Sequence, residues 1–366
     1  MTVADFSSRI SRVAASLNEQ NRDVLFVTPS ADLKYLTGYS ALPLERLTCL
    51  AIKATGEAVM IVPTLERPAA VAAQVENLGI ELIDWNETED PYRKLASALG
   101  TVHAPLVNNL MWVEKAFGLQ SAVKADVALA NSVLAEIRMI KSADEIAALH
   151  EAGAAIDVVH SRMNEWLRPG RTEREVGRDI AEAILQAGHE TVDFVIVASG
   201  PNGASPHHEV SDRVIQAGEP VVVDIGGTMH SGYCSDSTRM YACGEVPADY
   251  REKYEVLKAA QAAAVAYAAP GVTCESIDAV ARDILADAGL GEYFIHRTGH
   301  GIGMETHEDP YIVSGNTRLL ENGHAFSVEP GFYISGLYGA RIEDIVTCFD
   351  DQVTSTNNTT HDLVIL

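Results

Sequence analysis

Cysteine is scarce in this chain of 366 residues: five, an odd number, with no C-x-x-C pair. That argues against a disulfide framework or a thiolate zinc knuckle and for a reducing compartment. Basic residues are also few. Lys and Arg number 27 against 51 Asp and Glu, for a net charge of −24. Nucleic acid and anionic membrane need a basic face, so neither is expected as a partner. Long apolar runs are missing too. The Ala-rich run from Ala259 to Ala269 contains Gln261 and stops at Pro270-Gly271, well short of the ~20 residues of a membrane span. The first residues show no basic start followed by an apolar stretch, so no signal peptide is expected. These absences describe a soluble cytoplasmic protein.

The length suits two domains. Residues 1–135 alternate short apolar runs with helical patterns and predict an α/β domain. Phe6, Ile10, Val13 and Leu17 recur at helical spacing, and Val24–Val27 reads as a strand. Cys49–Ile52 and Ala58–Val62 form a hairpin pattern around Thr55-Gly56. Helices are expected at 67–77 and 91–99. Tyr35, Arg46 and His103 stand isolated, with packing or surface roles. Residues 119–140 read as the connection. Residues 136–366 form the second domain, entered through a capping box at Ser142–Glu145 and a long helix over 142–166.

The chemistry concentrates in four segments of that domain. Asp224 ends the β-branched run Val221–Val223, and Asp236 follows twelve residues later. His300 sits in Thr298-Gly-His-Gly-Ile-Gly303, Glu329 in Val328-Glu-Pro-Gly331, and Glu343 in Arg341-Ile-Glu-Asp344. A carboxylate at the end of an apolar strand is costly to desolvate unless paired or on a metal. One alone is more often a cap or salt-bridge partner. Four carboxylates and an imidazole set among glycines make a carboxylate-rich site for two divalent metals. Such donors suit manganese, iron(II), cobalt or zinc better than a thiolate-seeking ion.

The second domain also echoes itself. An offset of 101 residues places Pro169 on Pro270, Thr172 on Thr273, Val176 on Ile277 and Gly188 on Gly289. Reuse of common helix caps is one account; duplicated halves are the other. Duplication explains the ligand distribution, with Asp224 and Asp236 from the first half and His300, Glu329 and Glu343 from the second.

The order of these motifs resembles the pita-bread metallopeptidases, family M24, and within them the bacterial Xaa-Pro peptidases, prolidase and aminopeptidase P. The resemblance is specific over 136–366 and loose before it. It implies an α+β catalytic domain with an internal pseudo-two-fold repeat behind an α/β domain, and a homodimer. It also implies that Asp236 and Glu343 bridge two metals, manganese foremost, with Asp224 on one and His300 and Glu329 on the other. Glu329 would move a proton. His207 and His307 would stabilise the reacting carbonyl as catalytic residues, with His296 on the substrate side. Arg341 would orient Glu343 or meet a substrate carboxylate.

Two metals acidify water near neutral pH, which suits amide hydrolysis. An X-Pro amide lacks an N–H and escapes general peptidases. The expected substrate is therefore a small peptide with proline second, a dipeptide ahead of a longer peptide. Two departures from the family stand out. The Asp224–Asp236 spacing is one residue longer than usual, which places an insertion in the turn within 227–231. The link 332–339 is short, which leaves dipeptidase and aminopeptidase both open. A non-catalytic binding protein or a metal-free enzyme such as creatinase would share the fold; the full ligand set argues against both.

Overall fold

The computed structural model describes residues 3–366. In the first part of the chain, α1 (Val3–Glu19) buries Ile10, Val13 and Leu17 along one stripe. β1 (Val24–Val27) is buried throughout. α2 (Ala31–Thr37) starts at Ser30, whose hydroxyl accepts from the Leu33 amide, and ends at Gly38 in the left-handed region. β2 (Cys49–Lys53) and β3 (Ala58–Pro63) are the expected antiparallel hairpin. α3 (Arg67–Ala72), β4 (Ile80–Trp85), α4 (Pro91–Leu99), β5 (Pro105–Val107), α5 (Val113–Val123), β6 (Ala128–Leu129) and α6 (Asn131–Met139) follow. The strands form one mixed sheet in the order β4-β3-β2-β1-β5-β6.

Two expectations fail locally here. The helix over 67–77 breaks at Gln74, which takes a left-handed φ of 59°, and resumes as a 3₁₀ turn that buries Val75. Residues 119–140 are structure rather than connection, because Leu119 and Val123 still have a core to fill beside Phe26 and Trp85. Contacts divide the chain into two compact units between Arg138 and Met139, in the last turn of α6 and three residues beyond the boundary expected at 135. Tyr35 is buried beneath the Arg9 guanidinium, 3.9 Å away. Arg46 pairs with Glu45 and Glu87 at 2.6 and 2.7 Å.

The second unit opens with α7 (Ala143–His160), where both hydrogen bonds of the Ser142–Glu145 capping box form. α7 ends at His160, short of the expected 166; a 3₁₀ turn then carries Met163 and Leu167 into the core. After it come α8 (Glu173–Gln186), β7 (His189–Ser199), β8 (Pro220–Met229), β9 (Cys234–Ala242), α9 (Ala248–Tyr267) and α10 (Cys274–Asp287). The rest is β10 (Gly299–Gly301), β11 (Glu308–Ile312), β12 (Ala325–Val328), β13 (Gly331–Ile334), β14 (Tyr338–Arg341), β15 (Asp344–Phe349), β16 (Gln352–Ser355) and β17 (Val364–Ile365). These strands build sheets β17-β9-β8-β7 and β11-β10-β12-β15-β16 and the hairpin β13-β14.

The echo in the sequence is an echo in space. α8 and α10 are both 14 residues long and are capped by the Thr172 and Thr273 hydroxyls. Gly170 and Gly271 precede them with φ of 88° and 90°. Thr172 bridges Val214 and Thr273 bridges Leu319. The first free amides of each helix donate to equivalent carbonyls, Glu173 to Arg213 and Cys274 to Arg318. Among the described residues no helix is long and apolar enough to cross a membrane.

Candidate metal centre

Strand register brings the two aspartates together. β8 and β9 are antiparallel, with Asp224 opposite Thr238 and Asp236 opposite Gly226. The two carboxylates are thus two rungs apart on one face of the sheet. The ladder is unbroken between them, and the hairpin end spans 230–233. Gly227 and Thr228, expected in the turn, are strand.

The second half supplies His300, Glu329 and Glu343. Gly299 lets β10 approach β12 so closely that a Cβ there would run into the Ser327 carbonyl oxygen. Ser327 ties the neighbours together: its hydroxyl accepts from the His300 amide at 3.0 Å and donates to Glu329 at 3.1 Å. Glu343 follows β14 and reaches the first half through Thr238, whose hydroxyl donates to Oε2 at 2.7 Å. Asp236, His300 and Glu343 each offer one ligand atom, all within 4.8 Å of one another. His300 Nε2 lies 3.3 Å from Glu329, 3.6 Å from Asp236 and 4.0 Å from Glu343. Asp224 joins through Arg341, whose Nη2 donates to Oδ2.

The electrostatics call for cations. His300 Nδ1 is 3.0 Å from the Gly301 carbonyl, which can only accept. The proton of the neutral ring is therefore on Nδ1, and the Nε2 lone pair faces carboxylates. Burial and then the neighbouring His307 hold His300 down to about 3, so it stays neutral. Burial and then Glu343 and Asp224 push Asp236 well above the usual range; burial and then Glu329 and Asp224 do the same to Glu343. Burial raises Glu329 to about 7. Asp224 Oδ1 is buried without a hydrogen-bond partner among the described residues. Crowded carboxylates, an aimed lone pair and an orphaned oxygen are a donor set that fits a divalent metal.

The remaining expected residues line the same cavity, of about 860 Å³. His307 stacks edge-on to His300 at 4.1 Å. Its pKa is lowered by burial first, then by Arg297 and His207. His207 is exposed to the cavity, while the adjacent His208 turns back onto Glu173 at 2.8 Å. His296 has both ring nitrogens engaged: Nδ1 on the Arg297 carbonyl at 2.7 Å and Nε2 on the Tyr333 hydroxyl at 2.8 Å. Arg341 donates to Asp224, to the Thr238 hydroxyl at 3.0 Å and to Tyr333 at 2.7 Å. Its guanidinium is engaged by protein groups, and the carboxylate it donates to is Asp224 rather than Glu343.

Tyr333, Thr238, Ser327 and Glu173 escaped the sequence reading. Thr238 and Ser327 each lie two residues from a candidate ligand, the period that keeps strand side chains on one face. Tyr333 and Glu173 gave no signal, because their partners are remote in sequence. A shallow groove in the first unit, lined by Val102, His103, Phe117, Lys124 and Asp126, holds no such cluster.

By sequence, residues 147–349 match metallopeptidase family M24, and residues 9–140 match the creatinase/prolidase N-terminal domain. The probable dipeptidase PepE of Mycobacterium tuberculosis is 48% identical over 362 residues, covering 99% of this chain and 96% of the relative. The Xaa-Pro dipeptidase of Lactobacillus delbrueckii subsp. lactis is 38% identical over 365 residues, 96% of each chain. The crystal structure of dipeptidase PepE from Mycobacterium ulcerans superposes with a TM-score of 0.95 at 47% identity, covering 100% of this chain and 99% of that one. Fold and site together define a metallohydrolase of the pita-bread architecture. The chain belongs to metallopeptidase family M24.

Proposed function

We propose that this protein is an Xaa-Pro dipeptidase, hydrolysing the amide bond that precedes proline. The observation that carries this reading is the convergence of four carboxylates and one neutral imidazole on a single cavity. The chain's extended likeness to a relative named Xaa-Pro dipeptidase supports the substrate class. In this reading Asp224, Asp236, His300, Glu329 and Glu343 would hold the divalent cations, with Asp236, His300 and Glu343 at the centre of the donor set. Manganese is the first candidate, then cobalt, iron(II) or zinc.

When bound, such a pair supplies Lewis acidity and acidified water. The chain's own side chains do the rest. Glu329 takes and returns a proton at its carboxylate. His207 and His307 present ring N–H groups to the substrate carbonyl oxygen. Arg341 fixes Asp224, and Tyr333 links Arg341 to His296, so these two shape the pocket from behind. Phe194, Val195 and Ile196 of β7 give the cavity an apolar wall, suited to a pyrrolidine ring and to excluding water.

The division at about residue 135, a cytoplasmic location and a homodimer belong to the same proposal. Five buried free cysteines support the location. Exposed Leu110, Trp112, Val113 and Phe117 support a second copy as partner. Purified protein supplemented in turn with each metal is assayed on Ala-Pro, Ala-Pro-Gly and Met-Ala-Ser. Fastest release from Ala-Pro is expected. Preference for Ala-Pro-Gly identifies an aminopeptidase instead, and inactivity on both proline peptides with all four metals overturns the reading.

A further inference from the structure

Asp278 and Arg282 stand one turn apart on α10, and neither belongs to the donor set. Asp278 is buried, beside the Ile277, Ala281 and Leu285 that carry the packing of the helix. Its carboxylate takes the Arg282 guanidinium side-on, from Nε and Nη2, both at 2.9 Å. The same guanidinium donates to two backbone carbonyls, Phe294 at 3.1 Å and His296 at 2.9 Å. It also lies over the Phe294 ring, 4.2 Å from its centroid. Asp278 Oδ1 accepts in addition from the Thr298 amide at 3.1 Å and the Thr298 hydroxyl at 2.8 Å. Two side chains of one helix thus grip residues 294, 296 and 298 of the segment that enters β10. Charge-assisted bonds of this kind are short and directional.

The need to satisfy buried groups does not explain the arrangement. The Thr298 amide already donates to the Ile312 carbonyl at 3.0 Å. Buried ion pairs are also a weak source of stability, because apolar residues of similar volume often do as well. What the grip does is fix a position. The Thr298 carbonyl accepts from the Glu329 amide at 2.7 Å, and His300 follows Thr298 by two residues. His296, held by its carbonyl, lines the cavity. One carboxylate on α10 therefore reaches two of the candidate ligands through a single threonine.

We propose that Asp278 is a positioning residue that sets Glu329 and His300 through Thr298. The inference rests on the metal-centre reading above and deepens it. Thr298→Val keeps the shape of the side chain and removes the hydroxyl; Thr298→Ser keeps the hydroxyl and removes a methyl. Asp278→Asn keeps the shape and loses the charge. Metal-free protein is titrated with Co²⁺, followed by the cobalt absorption bands. The cobalt-loaded enzymes are assayed on Ala-Pro and Ala-Pro-Gly, and thermal melts check folding. Thr298→Val and Asp278→Asn are expected to raise the Kd for Co²⁺ by about 10–100-fold and to lower kcat by about tenfold or more. KM changes by less than about threefold. Thr298→Ser recovers both Kd and kcat to within about threefold of wild type. The Thr298 pair decides alone if Asp278→Asn does not fold.

Equal losses in the Val and Ser variants mark a packing role, and wild-type values in Thr298→Val mark none; either overturns the inference and leaves the metal centre standing. A wild type that binds no Co²⁺ takes the metal centre and the inference down together. Co²⁺ binding without hydrolysis of either proline peptide removes only the Xaa-Pro reading, and the titrations still decide the role of Asp278.

Discussion

Glu173 is the residue whose replacement tests the construction of the site most sharply. It is the first residue of α8 and is fully buried. Oε1 accepts from the Ser199 amide and hydroxyl, both at 2.8 Å, and from Asn202 at 3.0 Å. Oε2 accepts from His208 at 2.8 Å, the Ser211 hydroxyl at 2.6 Å, the Ser211 amide at 3.3 Å and Asn202 at 3.0 Å. Burial pushes its pKa up, but the hydrogen bonds from Ser211, Ser199 and His208 win and hold it below the usual carboxylate range.

This carboxylate thus pins both ends of the segment that carries His207. Glu173→Ala strands three donors that cannot become acceptors: two backbone amides and the Asn202 side chain. At about 1–3 kcal/mol each, partly offset by entering water, the loss is about 3–5 kcal/mol. Glu173→Gln is milder. Its NH₂ can replace Oε2, where the Ser211 hydroxyl and the His208 ring can switch to accepting. Only the Ser211 amide and the Asn202 contact on that side then suffer, for about 1–2 kcal/mol. Urea unfolding with the slope checked for constancy measures both. Activity on Ala-Pro falls about 10–100-fold in each as His207 drifts. A Glu173→Ala protein within 0.5 kcal/mol of wild type, or a Gln variant as damaged as Ala, would refute the reasoning.

Other consequences follow from the same geometry. Asp236→Ala removes a central donor, so hydrolysis drops to background while the far-ultraviolet spectrum of the fold stays; full activity would contradict the proposed centre. Chelation of the wild type abolishes activity and lowers its thermal midpoint, since metal at a hundredfold over its Kd stabilises by about 2.7 kcal/mol; Asp236→Ala shows a smaller shift in the same scan. Gly299→Ala forces β10 off the Ser327 carbonyl, destabilises by about 1–3 kcal/mol and weakens metal uptake measured by titration. His160 is buried against Tyr241 and Ser237; burial first, then Arg239, lowers its pKa from 6.5 to about 3. The unfolded chain binds that proton first, so its contribution is full above pH 6.5 and lost as pH falls. Between pH 6.5 and 5 wild type loses about 2 kcal/mol more than His160→Gln in urea melts.

Much of this was readable in the sequence because it is local. Ser142, Thr172 and Thr273 announce helix starts through contacts three residues away. Asp224 and Asp236 could be paired in advance because a hairpin of continuous strands fixes its own register. Leu119 and Val123 misled for the converse reason: a short apolar helix ending looks like a connection until the sheet it covers is known. The break at Gln74 likewise depends on where the chain must turn to bury Val75, which no window of propensity contains.

The sequence by itself determined which side chains could be ligands and that they come from two repeats, since motif, cap and offset are all written along the chain. Only the tertiary structure decided what each donor faces. It set His300 Nε2 toward three carboxylates, gave Arg341 to Asp224, put the His208 ring on Glu173 and stacked Arg297 on Tyr311. Those outcomes depend on pairings between residues as far as 117 positions apart, as for Asp224 and Arg341. Hydrogen bonds and charges act over a few ångströms of space, and distance along the chain says little about distance through it.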